Sequence, residues 1–426
     1  MKLRRYLVLA GALSILLTNP APGGAGWLDN LTEKFNDWME DLEIKRVRDH
    51  KRTDQRLCKK YFESGDLKQA SHYCFLAKSY NEEFIYHAAV ANYIHGVERE
   101  NDPRTKKINL DYAVPLLKTA EKYLLEKLEA GGGDEQSKIE NKKRLANVYL
   151  LLGCAHMKYY REQEDDYAAD FGKEAFKKAK EYFDKAIALT EELGDNGDSY
   201  VIVKAGIELS SVYLERAPYA YKWVLEAEAV LGKALEASER MKPSALFPEK
   251  EIQIMRERVY NLRGMLASKK LEYKKDVEQE FEKGKEFYLK AIEIAKKTRQ
   301  IQDLPTLMHN LAILYYVKGE YDEYEKLTKE AIEQAKKIAK MGGSGGITNK
   351  EKMAEWYEEL ADFYLNKKDN KELAKECLKA ALEAYSDLRL EFKYKDALKL
   401  AEYDRKIGAV SAKIKRIDKM SNKINQ

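Results

Sequence analysis

The side chains with the greatest chemical reach in these 426 residues are six histidines and four cysteines. His50, His72, His87, His95, His156 and His309 show no metal-ligand spacing, such as two histidines four apart with a following glutamate. A zinc-type set needs spacing of that kind to bring its donors to one point. Packing or surface roles are therefore expected for all six, with no metal and no cofactor. Nor does the chain contain a Gly-x-Ser-x-Gly elbow, a Walker loop or a dinucleotide fingerprint. Glu358 with Glu359 and Asp165 with Asp166 are neighbouring carboxylates, but they lie among 72 acidic residues. Their adjacency does not mark a glycosidase-like pair. The glycine-rich run at 342–346 precedes a predicted helix start, which suits an anion, yet such runs are more often flexible turns. These residues predict no enzyme, with a cell-wall or glycan-active enzyme as the remote alternative.

The cysteines offer redox chemistry instead. Cys58 and Cys74 are 16 residues apart and fall in register on the two helices of a predicted hairpin. A bridge closing so short a loop would contribute about 3 kcal/mol in the chain-entropy model. The other reading is two small buried side chains. Cys154 and Cys377 are far apart in sequence and are expected to be free thiols.

Compartment decides between those readings, and the first residues bear on it. Lys2, Arg4 and Arg5 precede an apolar run from Tyr6 to Leu17, followed by Asn19, Pro20, Pro22 and the small residues Gly23 to Gly26. Residues 1–26 therefore read as a secretory signal peptide. The run is too short for the roughly 20 residues that cross a bilayer, so no integral membrane span is expected in the mature form, and an uncleaved anchor is the alternative. Localisation in the periplasm or at the cell surface follows as an expectation, in an oxidising setting that permits disulfides.

With 44% apolar and 35% charged residues the chain is predicted to be soluble and folded. Interspersed Lys and Glu with only 8 prolines point to helix, and such ion-pair-rich surfaces also suit a thermophilic source. Lys plus Arg number 76 against 72 acidic residues, and removing the leader brings the chain close to neutrality. Nucleic acid, which demands a basic face, is not an expected partner. Residues 389–426 nevertheless hold 11 basic and 5 acidic residues.

These residues must be positioned by helices, and the helices announce themselves through a repeat. Seven times a bulky or medium residue is followed three positions later by alanine, and in six of the seven a small residue stands four positions before the bulky or medium one, Tyr324 being the departure. The ridges are Ala70, Cys74, Ala77; Ala113, Leu117, Ala120; Ala179, Phe183, Ala186; Ala227, Leu231, Ala234; Gly284, Tyr288, Ala291; Tyr324, Thr328, Ala331; and Ala374, Leu378, Ala381. Offsets of 0, 4 and 7 share one helical stripe. Small residues on such a stripe let a second helix approach closely. Upstream partner helices show in Leu57, Cys58, Tyr61, Gly65 and Leu67, in Leu311, Ala312, Tyr315, Gly319 and Tyr321, and in Leu360, Ala361 and Tyr364.

On these residues the chain resembles the tetratricopeptide repeat family. The resemblance covers about residues 49–388 and implies an all-α, right-handed α-solenoid of about seven helix-turn-helix repeats. Successive ridge alanines lie 43, 66, 48, 57, 40 and 50 residues apart, where the family period is about 34, so elongated helices are expected. Residues 27–48 read as an amphipathic N-terminal helix bearing Trp27, Leu31, Phe35, Trp38 and Leu42, docked as a cap on the first repeat. Residues 389–426 read as basic capping helices. Thr348 and Glu351 match a capping box that would start a helix, and Pro305 suits the first turn of another.

The resemblance further implies a non-enzymatic scaffold whose first helices line a concave groove for a protein or peptide partner of the cell envelope. The groove-facing positions carried over are Lys204, Arg258, Asn261, His309, Tyr316, Glu355, Glu358 and Asp362, basic in the middle and acidic at the end. The alternative is an envelope-attached assembly factor held by its N-terminus or its basic C-terminal patch.

Overall fold

The computed structural model describes residues 26–98, 103–131, 133–162, 169–243, 247–393 and 396–424. The leader expected at residues 1–26 lies almost wholly outside them. Fifteen α-helices follow one another among these residues, with no strand. They pair as seven hairpins: α1 Gly26–Glu63 with α2 Leu67–Lys78; α3 Ile85–Tyr93 with α4 Pro103–Glu129; α5 Glu135–Glu162 with α6 Ala169–Glu192; α7 Ser199–Arg216 with α8 Tyr221–Arg240; α9 Glu249–Glu272 with α10 Val277–Lys297; α11 Leu304–Lys318 with α12 Tyr321–Ala339; and α13 Gly343–Lys367 with α14 Lys371–Phe392. A single helix, α15 Ala397–Ile424, closes the row against α14. The chain is an all-α solenoid.

Each alanine ridge lies on the second helix of its hairpin and is buried. Small partners on the first helices explain the close approach. An ideal Cβ on Gly206 of α7 would sit 2.7 Å from the Cβ of Ala234, and one on Gly264 of α9 would sit 2.6 Å from the Tyr288 ring. From the second to the sixth hairpin, first helices also touch one another: α3 meets α5, α5 meets α7, α7 meets α9 and α9 meets α11. Helices packed closer on one side of a row than on the other bend it, which puts the first helices on the concave face.

Local chemistry sets the boundaries. Asp66, Asp134, Asp198 and Asn370 accept backbone N–H groups of Gln69, Ser137, Tyr200 and Leu373, capping α2, α5, α7 and α14. Gly319 closes α11 at φ 94°, its N–H donating to the Tyr315 and Tyr316 carbonyls, a left-handed geometry that glycine adopts without strain. Pro305 sits in the first turn of α11. The long spacing between Ala120 and Ala186 comes from α4, α5 and α6, which run 27, 28 and 24 residues.

Three boundaries differ from the sequence reading. No break separates residues 48 and 49, because α1 is one helix of 38 residues. The 388/389 boundary falls inside α14, and a single helix follows it. Thr348 is not an N-cap. Helix α13 opens at Gly343, and the Thr348 hydroxyl donates to the Ser344 carbonyl at 3.2 Å. Tertiary packing drives the glycine run into the helix. Gly345 lies against the side-chain amide of Gln302, Gly346 is buried, and the buried Asn349 amide donates to the Gln302 and Gly345 carbonyls at 3.3 and 2.9 Å.

Candidate functional site

Four consecutive first helices, α3, α5, α7 and α9, enclose a cavity of about 480 Å³ on the concave side. Tyr86 and Val90 come from α3, Leu150, Leu151 and Cys154 from α5, Tyr200 and Lys204 from α7, and Ile254 and Met255 from α9. Most of these are nearly fully buried, and apolar side chains surround the buried Lys204 in the floor. Phe247 from the α8–α9 connection stacks on Tyr200 with ring centroids 3.6 Å apart and forms part of the wall.

The last turns of the α3 segment depart from α-geometry. Residues 94–98 form a five-residue π-helix, a widening that frees backbone carbonyls and recurs at functional sites. The Asn109 amide donates to the Gly96 carbonyl at 2.8 Å. The π-turn carries Ile94 and Glu98 into the cavity lining.

Lys204 defines the electrostatics of the floor. Its ammonium is buried, 3.1 Å from Glu208 and 3.8 Å from Glu98. Burial opposes its charge, yet Glu208 and Glu98 outweigh burial and hold its pKa above the usual lysine value. Lys158 and Arg161 approach Glu98 and Glu208 at 3.9 and 3.3 Å, completing a paired cluster. Removing one member of a buried pair strands the other charge and typically costs about 3–5 kcal/mol, so Lys204 supports the floor as well as lining it. Burial pushes the Tyr86 hydroxyl up to about 12, against the Asn147 hydrogen bond, and raises the Cys154 thiol. Both therefore stay protonated, and a protonated thiol is a poor nucleophile. Burial also raises Asp198, whose carboxylate is committed to capping α7.

The other groove positions read from the sequence are spread along the row. Arg258 is exposed at the mouth of this cavity. Asn261 accepts from Asn310 at 3.0 Å, bridging α9 to α11. His309 is buried, stacked on Trp356 at 4.6 Å with Nε2 2.9 Å from Glu359. Tyr316 sits in an aromatic group with Tyr321, Tyr324 and Phe363. At the acidic end, α15 supplies counter-charges: Lys399 to Glu351 at 3.5 Å, Lys406 to Glu355 at 3.0 Å, and Lys413 to Glu358 and Asp362 at 3.2 and 3.3 Å. Those lysines recur every seven residues, as do the buried Tyr403, Val410 and Ile417 of the same helix, so one stripe packs while an adjacent one pairs charges. The acidic end of the groove thus faces the chain's own closing helix.

A disulfide joins Cys58 of α1 to Cys74 of α2, with Cα atoms 4.6 Å apart; Cys154 and Cys377 are free. Among the described residues no group of three His, Cys, Asp or Glu side chains is placed to hold a metal ion, and no helix is long and apolar enough to cross a membrane.

Sequence reasoning reached Lys204 and Arg258 but missed Tyr86, Glu98, Asp198, Tyr200, Phe247, Glu251 and Gln300. The Asp198 cap two residues before Tyr200 was a readable signal. The π-turn that brings in Glu98 had none.

No family model matches this chain, and no curated protein does. Its likeness to solved structures is remote. A protein described as "Circular tandem repeat protein with novel repeat topology and enhanced subunit contact surfaces" is 13% identical, covering 93% of this chain and 94% of its own, with a TM-score of 0.26. BtubC (BKLC) from P. vanneervenii is 14% identical over 65% of this chain and 92% of its own, TM-score 0.29. A Rap protein complexed with Competence and Sporulation Factor is 14% identical over 87% of this chain and 99% of its own, TM-score 0.35. No site residue is carried over from any of them.

Proposed function

We propose that this chain is a divergent tetratricopeptide-type scaffold, without catalytic activity, that is exported and captures a peptide segment of a cell-envelope protein on its concave face. The observation that carries this reading is the 480 Å³ cavity between the first helices of four successive repeats. Its size falls within the range of about 300–1,000 Å³ typical of ligand sites, and its mainly apolar lining with a few placed polar groups matches their usual composition. The Cys58–Cys74 bond supports export, since such bonds persist in oxidising compartments.

Ile254 lines the cavity and is partly exposed, so Ile254→Trp should fill the space while sparing the fold. A displayed random-peptide library panned against the protein is expected to enrich a consensus sequence with a large apolar residue, and the Ile254→Trp variant should enrich it at least about tenfold less. Absence of any consensus, or equal enrichment by the variant, would refute the reading. N-terminal sequencing of the exported form would test the leader.

A further inference from the structure

Charge at the mouth of the cavity is unevenly satisfied. Glu98 and Lys204 are paired within the floor, and Asp198 caps its helix. Arg258 and Glu251 are the two lining charges that have neither a hydrogen bond nor an ion pair among the described residues. Both stand on α9, seven residues apart, with Ile254 and Met255 between them at the cavity wall. At 1.5 Å of rise per residue that separation is about 10 Å along the helix axis. An extended peptide covers about 10 Å in three residues.

We infer that the cavity takes an extended peptide in which a large apolar residue lies between an acidic and a basic residue three positions apart, the acid meeting Arg258 and the base meeting Glu251. The apolar residue enters the well and gains the greater part of the binding energy, as anchors in desolvated pockets do. The two flanking charges fix the direction in which the strand lies, because reversing it would place like charges together. This inference rests on the peptide-binding reading proposed above and adds polarity to it.

The test uses fluorescein-labelled peptides measured by anisotropy against the full chain. One set carries Asp, Phe, Ser, Lys in that order, a second Lys, Phe, Ser, Asp, and a third Gln, Phe, Ser, Gln. One charged order is expected to bind about four- to twentyfold more tightly than the neutral peptide, each exposed pair being worth about two- to fivefold. Arg258→Gln should remove the advantage of the acid and Glu251→Gln that of the base, each read as the ratio of charged to neutral peptide affinity within the same variant. Equal binding of all three peptides, or an advantage untouched by both variants, would overturn the polarity while leaving peptide capture intact. If Ile254→Trp also left binding of the neutral peptide unchanged, or none of the peptides bound, the cavity reading itself would fall. Far-ultraviolet circular dichroism of both rim variants controls for folding.

Discussion

Substituting alanine for Gly264 adds one methyl group at the tightest point between α9 and α10. An ideal Cβ there would lie 2.6 Å from two carbons of the Tyr288 ring. Carbon atoms in contact sit about 3.5–4.0 Å apart, so the ring or the whole helix must retreat by about 1 Å. Tyr288 is 1% exposed within the repeat's own ridge, and retreat there disturbs close packing on every side. Overpacking of this kind costs about 1–3 kcal/mol. Alanine recovers about 1 kcal/mol through its better helix propensity. The net expectation is a loss of up to about 2 kcal/mol, read as a lower urea midpoint in far-ultraviolet circular dichroism. Gly232 supplies the control. It lies inside α8 with nothing within 4 Å of its would-be Cβ, so Gly232→Ala should keep only the propensity gain and raise the midpoint. Tyr288→Leu combined with Gly264→Ala should cost less than the two changes summed, since the smaller side chain makes room. If Gly264→Ala and Gly232→Ala shifted the midpoint in the same upward direction, the close helix approach would be wrong.

Thiol titration of denatured, unreduced protein should find two free thiols, Cys154 and Cys377, and four after reduction; Cys58→Ala with Cys74→Ala should lower stability by about 3 kcal/mol, and four thiols without reductant would refute the bond. Glu257 is 4% exposed on α9, and burial, reinforced by Asp303 and opposed by Arg258, pushes its carboxyl from 4.5 up to about 7. Between those values the folded chain holds the proton that the unfolded chain releases, so stability falls as pH rises through the window and stays low above it. Glu257→Gln should therefore change little at pH 4 and stabilise by about 2–3 kcal/mol at pH 8; an equal gain at both pH values in urea titrations would contradict the buried-acid account.

The hairpins were legible because their ridges obey local rules. A small residue at offset 0 and an alanine at offset 7 mean the same thing wherever the neighbouring helix lies, and Tyr324 shows that even a large residue can hold the first position when the opposing surface allows it. What stayed hidden depends on partners distant in sequence. Lys204 reads as a groove cation beside Glu208, four residues away on its own helix, but its burial depends also on Glu98, two repeats earlier. Glu355, Glu358 and Asp362 read as an open acidic surface, although their lysine partners some fifty residues on were visible as a seven-residue ladder. The Thr348 signal was real chemistry overridden by packing, since the buried Asn349 amide bonds back to the Gln302 and Gly345 carbonyls and holds the glycine run in the helix. Helix α3 escaped because seven of its nine residues are apolar or aromatic, leaving only His87 and Asn92 to mark a polar face.

The widened coil at 94–98 also makes the length of this stretch inseparable from what the chamber can hold. A turn bonded i to i+5 takes up one more residue than a turn of α-helix, so excising a single amino acid there and letting the spiral close to its regular pitch would keep the flanking side chains nearly in register. Glu98 would still face Lys204, and the chamber wall would lose one lining position. The extra residue is thus room built into the wall, removable without turning the rest of the floor.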